Sequence, residues 1–358
     1  MKIESKVNQI PSLTWNWLKI NNADVKFDAE YKEKKNISVS KLPSGVTYKQ
    51  DDEKYLMSIV PIETGFGKES NIFSSSNVIP DSLIADAGTK AEKPVYITFD
   101  CKDKAYSVSS QIITAQKDAD ITVIMTFTSD KKAEGMHAVQ TKLYAHKNAK
   151  IHLVTVQMLG DNYIHFDDIG TYCEENAHIN VTQILLGSKK SYVGVHALLK
   201  EYMSSFKSDT AYFCRDDQLF DMNYVVTHTG RKTDTKMQVN GTLKDSASKT
   251  YRGTIDFKNG CQGAEGEETE NTLLLNPTVV NKSIPVILCD EEDVAGEHGA
   301  TIGKLSDDVL FYMSAHGIDK TKAEKLMCLA KINQASHLIP DTELQEKISD
   351  YVEEAFNG

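Results

Sequence analysis

Three short stretches of the chain repeat one local pattern. Asp118-Ala119-Asp120-Ile121 leads into an alternating run at 122–127, Asn148-Ala149-Lys150-Ile151 into 152–156, and Asn176-Ala177-His178-Ile179 into 180–185. The three alanines are 30 and 28 residues apart (149−119 and 177−149). Each copy joins a turn-forming Asp or Asn to a strand whose apolar residues alternate with polar ones. One such unit cannot bury its inward face alone, whereas stacked copies bury a continuous column of Ile, Val and Leu. The spacing therefore predicts a stacked β-solenoid. The competing arrangement is an antiparallel meander with coincidental turn chemistry.

Further strand-like runs stand at 94–99, 224–228 and 249–255. The first ninety residues lack this regularity: Trp15 and Trp17 sit in a mixed segment, and Ser74-Ser75-Ser76-Asn77 is Ser-rich. The C-terminal end changes character. Ser306 is placed to N-cap a helix with Asp307 and Asp308 in its first turn, and Gly317 to close it. Asp319 opens a second helix with Ala323, Leu326, Met327 and Ala330 on one face. Pro340 and Asp341 interrupt it, and a last helix places Leu344, Ile348, Tyr351, Val352 and Ala355 on one side. The expected plan is mainly β: a short irregular N-terminal segment over 1–90, a β-helix core over 91–303 and a small α-helical region over 304–358.

At 358 residues and 40% hydrophobic composition the chain is long enough for a sizeable core. Its net charge of −11 disfavours nucleic acid and anionic membrane as partners, because phosphates require Lys and Arg. No window approaches the roughly 20 apolar residues of a membrane span. The start, Met1-Lys2-Ile3-Glu4-Ser5-Lys6-Val7, carries no secretory signal, so a cytoplasmic location is expected. The six cysteines form no CxxC pair, which leaves zinc and ferredoxin spacings out. Gly65-Phe66-Gly67-Lys68 fails as a phosphate loop because Ile62 and Glu69 occupy the flanking motif positions. The acidic 260–266 loop would repel phosphate, so no nucleotide is expected on this chain. Asp290-Glu291-Glu292-Asp293 lacks the alternating spacing and glycine of a calcium loop. No nucleophile, base and acid stand at catalytic spacing, and the chain reads as a non-enzyme.

The stretch Gly296-Glu297-His298-Gly299-Ala300-Thr301, preceded by Cys289 and the acidic run and followed by Leu310-Phe311-Tyr312 and Gly317-Ile318, closely resembles the signature of the SufB/SufD family of the SUF iron–sulfur cluster assembly system. Arg252-Gly253-Thr254 and Leu273-Leu274-Leu275 fall where that family has similar groups. The resemblance covers about residues 90 to 358 and is strongest after 250. It implies a right-handed parallel β-helix with a C-terminal helical region, working as a scaffold in a SufBCD complex. There the chain would pair with a SufB-like subunit through its β-helix and dock a SufC-like ABC ATPase through its C-terminal helices. A transient iron–sulfur cluster would form near the subunit junction, and the chain alone could form a homodimer. SufD is the more similar subtype: Glu270 stands where SufB-like proteins carry Cys, and Gly299 where they tend to carry Glu. Glu297 before the motif His is more SufB-like, and His316 replaces the usual Arg, so that Arg's contacts are not carried over. The alternatives are a self-pairing SufB-type scaffold and a β-helix carbohydrate-active enzyme such as a polysaccharide lyase.

By the resemblance, His298 is the residue implicated in cluster assembly, and a neutral imidazole suits borderline iron. Glu297 beside it is the second candidate at that site. Cys289 is a soft donor nine residues upstream, although its place in the apolar run 285–289 better suits a buried structural thiol. Cys261, in a Gly-rich acidic loop that could expose it, ranks last among the ligand candidates.

Overall fold

A coil that repeats every 27–31 residues must turn a tight corner each time, and the corner accounts for the sequence pattern. The computed structural model describes residues 1–357 apart from 15, 58, 59 and 75–77, so Trp15 and most of the Ser-rich stretch lie outside the described residues. Asp118, Asn148 and Asn176 adopt left-handed backbone, with φ of 61°, 59° and 54°, a region Asp and Asn tolerate better than most residues. The Ala that follows each is fully buried. Each corner N–H donates into the next coil, to the carbonyls of Lys147, Glu175 and Tyr202 at 2.9–3.0 Å. The side chains stack as well: Asn148 Nδ2 donates to Asp118 Oδ1 at 2.8 Å, and Asn176 Nδ2 to Asn148 Oδ1 at 2.9 Å. Three more corners follow in other residues. Met203, Lys232 and Gly263 have φ of 58°, 54° and 71° and precede buried Ser204, Thr233 and Ala264.

The N-terminal segment supplies β1 (Lys2–Val7), β2 (Ala23–Asp28), β3 (Lys32–Glu33), β4 (Ile37–Val39), β5 (Val46–Lys49) and a one-turn helix α1 (Glu53–Leu56). Eight two-strand coils follow: β6 (Asp81–Ala85) with β7 (Val95–Asp100), β8 (Ala105–Ala115) with β9 (Asp120–Thr128), β10 (Glu134–Ala145) with β11 (Lys150–Met158), β12 (Asn162–Cys173) with β13 (His178–Leu185), β14 (Lys190–Leu199) with β15 (Ser205–Cys214), β16 (Leu219–His228) with β17 (Asp234–Leu243), β18 (Ser248–Phe257) with β19 (Ala264–Leu274), and β20 (Val280–Cys289) with β21 (Val294–Gly303). From β6 onward, even-numbered strands pair in parallel with even and odd with odd. The chain is thus a parallel β-solenoid of about eight turns, and the meander is ruled out. Its first coil starts at Asp81, ahead of residue 91. Val95, Val123, Leu153 and Val181 form one register row and are all fully buried, each such side chain contributing about 1.5–3 kcal/mol.

The two ends of the solenoid differ. At the N-terminal end β5 and β4 add antiparallel to β6 and β7 and close both sheets. At the other end β20 and β21 are the last strands of their sheets, and β21 is exposed along nearly its whole length. Bare edges of this kind are usually covered or blunted.

Both outer faces are covered. Over the even sheet lie the antiparallel β1–β2 hairpin and residues 61–73, with Ile3, Val7, Val25 and Phe66 packed on Val108, Met136 and Phe166. Buried polar anchors fix this strap. Arg252 Nη1 donates to Asp221 Oδ1 at 2.7 Å and its other nitrogens to the carbonyls of Ile20 and Asn22. These bonds tie the N-terminal segment to the even sheet. Over the odd sheet lie α3 (Lys320–Ser336) and α4 (Thr342–Asn357), reached through α2 (Asp307–Ala315). The caps are those the sequence predicts: Ser306 accepts from Val309 N, Asp319 from Lys322 N, and Gly317 closes α2 with φ 79°. Cys328, Ile332, Ala335, Ile348 and Val352 pack on Val154, Ile184 and Phe213. The α3 face departs from expectation in part: Ala323 is buried as expected, but Leu326 and Ala330 point to solvent while Cys328, Ile332 and Ala335 are buried. Cys328 and Ala335 are small, so a search for large apolar residues overlooks this face.

Candidate functional site

The uncapped coil leaves the interior of the solenoid open at one end, and that mouth is polar. On β19, Glu268 and Glu270 occupy inward positions, aligned with His298 and Ala300 of β21. On the facing wall stand Lys249 and Tyr251 of β18 and Ser283 of β20. Lys249 and Glu270 are 0% and 1% exposed and form an ion pair. Glu270 also accepts from Ser283 Oγ and, at 2.9 Å, from Thr272 Oγ1. Burial pulls the Lys249 amine down even with Glu270 beside it. Such a pair stands only because its hydrogen bonds offset desolvation. Glu268 is less well served. It is buried, its Oε2 has no partner, and burial followed by the Glu270 charge pushes its carboxyl up to about 7. Gly253 makes room for it, since a Cβ there would lie 2.5 Å from Glu268 Cδ.

His298 lies in register with Glu268 on the same inward face, one coil further out and exposed. Glu297 is in register with Glu267, whose carboxylate pairs with Lys236 at 2.9 Å on the outer surface. Adjacent strand residues point to opposite faces, so the structure does not bring Glu297 and His298 together. Cys289 ends β20 and is exposed, with Sγ 3.0 Å from Glu291 O. The apolar run around it would suit burial, but no further coil covers the last strand. Cys261 is the reverse case: it is fully buried rather than exposed. The acidic 290–293 run folds over its loop, Gly260 N donating to Glu291 Oε2 at 2.9 Å and Gly263 N to Asp293 O at 2.7 Å. Among the described residues no group of three or more His, Cys, Asp or Glu could hold a metal ion. The mouth therefore offers one inward imidazole above a protonatable carboxyl, not a closed cage.

Lys249 and Glu268 carry no motif, and Glu268 follows directly on the acidic 260–266 loop. The signal that would have found it is the repeat, since Glu268 lies 31 residues after fully buried Met237 in the same register row (268−237).

Comparison with known proteins places this architecture. A family model described as SUF system FeS cluster assembly, SufBD core domain, matches residues 98–331. An iron–sulfur cluster assembly SufBD family protein of Staphylococcus saprophyticus is 22% identical over 298 residues, 80% of this chain and 62% of that protein. A SufBD family protein of Staphylococcus aureus shows the same identity and coverage. The iron–sulfur cluster assembly protein SufD of Bacillus subtilis is 25% identical over 139 residues, 39% of this chain and 32% of that protein. The chain thus spans about three fifths of the length of the staphylococcal relatives it matches. No helix among the described residues is long and apolar enough to cross a membrane.

Proposed function

The chain belongs to the SufBD family of the SUF iron–sulfur cluster assembly system, and from that premise we propose that it is a SufD-like scaffold subunit whose open solenoid end pairs with a SufB-like subunit. The observation that carries this reading is the asymmetry of the two ends: one is capped by antiparallel strands, the other presents two bare ten-residue strands around a polar mouth. Strand edges of that length are templates for another chain. A subunit docked there would enclose His298, and the nascent cluster is the cargo handled at that junction. Glu270 supports the SufD-like subtype, because the inward position that carries Cys in SufB-like proteins holds here a carboxylate already engaged by Lys249, Ser283 and Thr272.

The ATPase partner is assigned to the helical end. Packing of α3 and α4 on the solenoid leaves α2 with no buried residue, and Val309, Phe311 (77% exposed) and Tyr312 of α2, like Leu326 of α3, are exposed apolar side chains. ATP chemistry belongs to that partner, and this chain transmits its movement to the junction.

The test is co-purification with a SufB-like subunit and a SufC-like ATPase, then anaerobic cluster reconstitution with wild type and His298→Ala. Complex formation by both proteins, with a several-fold lower cluster yield for the variant, is the expected result. Failure of the wild type to bind either partner overturns the scaffold assignment; an unchanged yield overturns the part given to His298.

A further inference from the structure

The N-terminal strap also roofs a groove on the outer face of the even sheet. Residues 9–11 and 61–68 bridge over β12, β14, β16 and β18 and enclose about 480 Å³, a volume within the range of small-molecule sites. The floor is a register row with one residue per coil: Tyr172, Leu198, Thr227 and Asp256. Neighbouring strands lie ~4.8 Å apart, so this row is roughly 14 Å long. It grades from an aromatic and an aliphatic side chain through a hydroxyl to a carboxylate. Val225 widens the apolar floor, and Ile62 and Pro11 form the apolar roof.

The groove is built in advance of any ligand. Gly65 of the strap approaches Gly194 so closely that a Cβ on Gly65 would lie 1.9 Å from Val195 N. Asn223 Nδ2 holds the strap from below, donating to Gly65 O at 2.9 Å and to Gln9 O at 3.3 Å.

Charge is unbalanced at the polar end. Asp256 is 5% exposed. Lys258 Nζ pairs with its Oδ1 at 2.9 Å. Lys258 is shared with Asp290 at 3.6 Å, so one ammonium faces two carboxylates. Glu63 and Lys68 offset one another at 3.4 Å on the rim. His196 adds no positive charge: burial holds its pKa down, its Nε2 lies 3.2 Å from Thr227 Oγ1, and its buried Nδ1 has no partner.

We propose that this groove binds a small organic cation, a primary ammonium on an apolar body, with the ammonium on Asp256 and the body along Val225 and Leu198 toward Tyr172. An anion of the same shape would set its charge against Asp256 and lose the site. The proposal is independent of the scaffold reading.

The experiment is calorimetric titration of the full chain with hexylammonium chloride and, separately, sodium hexanoate. Saturable one-to-one binding of the amine is expected, with hexanoate at least ten-fold weaker. Asp256→Asn should weaken the amine at least ten-fold and Leu198→Trp should abolish binding by filling the floor. Lys258→Gln should bind as well as wild type or better, because it removes the competing cation. Melting curves establish that each variant is folded, and the hexanoate comparison on wild type stands without them. No saturable binding of the amine, equal affinity for hexanoate, or undiminished binding by folded Asp256→Asn would each overturn the proposal.

Discussion

Glu268 is a carboxylic acid whose environment favours the proton. Its folded value of about 7 stands above the unfolded 4.5, so between those pH values the folded chain retains a proton that the unfolded chain has released. Stability must therefore fall as pH rises from about 4.5 to about 7 and stay lower above it. Glu268→Gln keeps the shape without the titration. Relative to wild type it should gain on the order of 3 kcal/mol at most between pH 5 and pH 8, from the 1.36 kcal/mol carried by each pKa unit. Urea unfolding at the two pH values measures this, and an offset equal at both would contradict the assignment of that proton to Glu268. The neighbouring Lys249–Glu270 pair shows why such residues are hard to read in a sequence. A lysine and an acid 21 residues apart carry no pattern of their own, and only the solenoid register brings them together across the interior.

At the level of elements, the corners were legible where Asp or Asn precedes Ala, because left-handed backbone and a small buried residue both constrain residue choice there. They became illegible at Met203-Ser204 and Lys232-Thr233, where the same backbone and the same inter-coil hydrogen bonds recur without an Asp or Asn side chain. The caps of α2 and α3 and the buried face of α4 were legible for similarly local reasons. The buried face of α3 was not, because it is set by the sheet beneath it. His298 stands out in the sequence through its motif, but its inward direction comes only from strand register. The exposed side of α2 gives a prediction at this scale. Replacing Phe311 and Tyr312 together by Ala should shift the melting temperature by no more than about 1 °C, since neither side chain is buried. The same replacement should abolish co-purification of the ATPase. A protein that retains the ATPase would remove α2 from the docking surface, and one that unfolds would show that α2 supports the solenoid itself.

For the whole molecule, the decisive property is that only one end of the solenoid is finished. A stacked-coil protein needs polar or paired termini to remain discrete, and here the N-terminal end meets that need with β4 and β5. At the other end Val280 and Ile302, on the last two strands, remain 45% and 42% exposed, alongside unpaired backbone donors and acceptors that favour strand addition. Val280 continues the outward row of Ser248, and Ile302 the inward row of Thr272 at the mouth; both are part-exposed on the last strands, so cations there should blunt that end at little cost to the coils beneath. Val280→Lys with Ile302→Lys is therefore expected to keep the wild-type circular dichroism spectrum and melting temperature while weakening association with the SufB-like subunit at least ten-fold. The same change should remove concentration-dependent dimers of the chain alone in sedimentation velocity. Because neither substituted position lies on α2, binding of the ATPase should persist. Association with the SufB-like subunit at wild-type affinity would mean that the pairing surface lies elsewhere on the solenoid, and that the open mouth holding His298 faces solvent in the assembled complex.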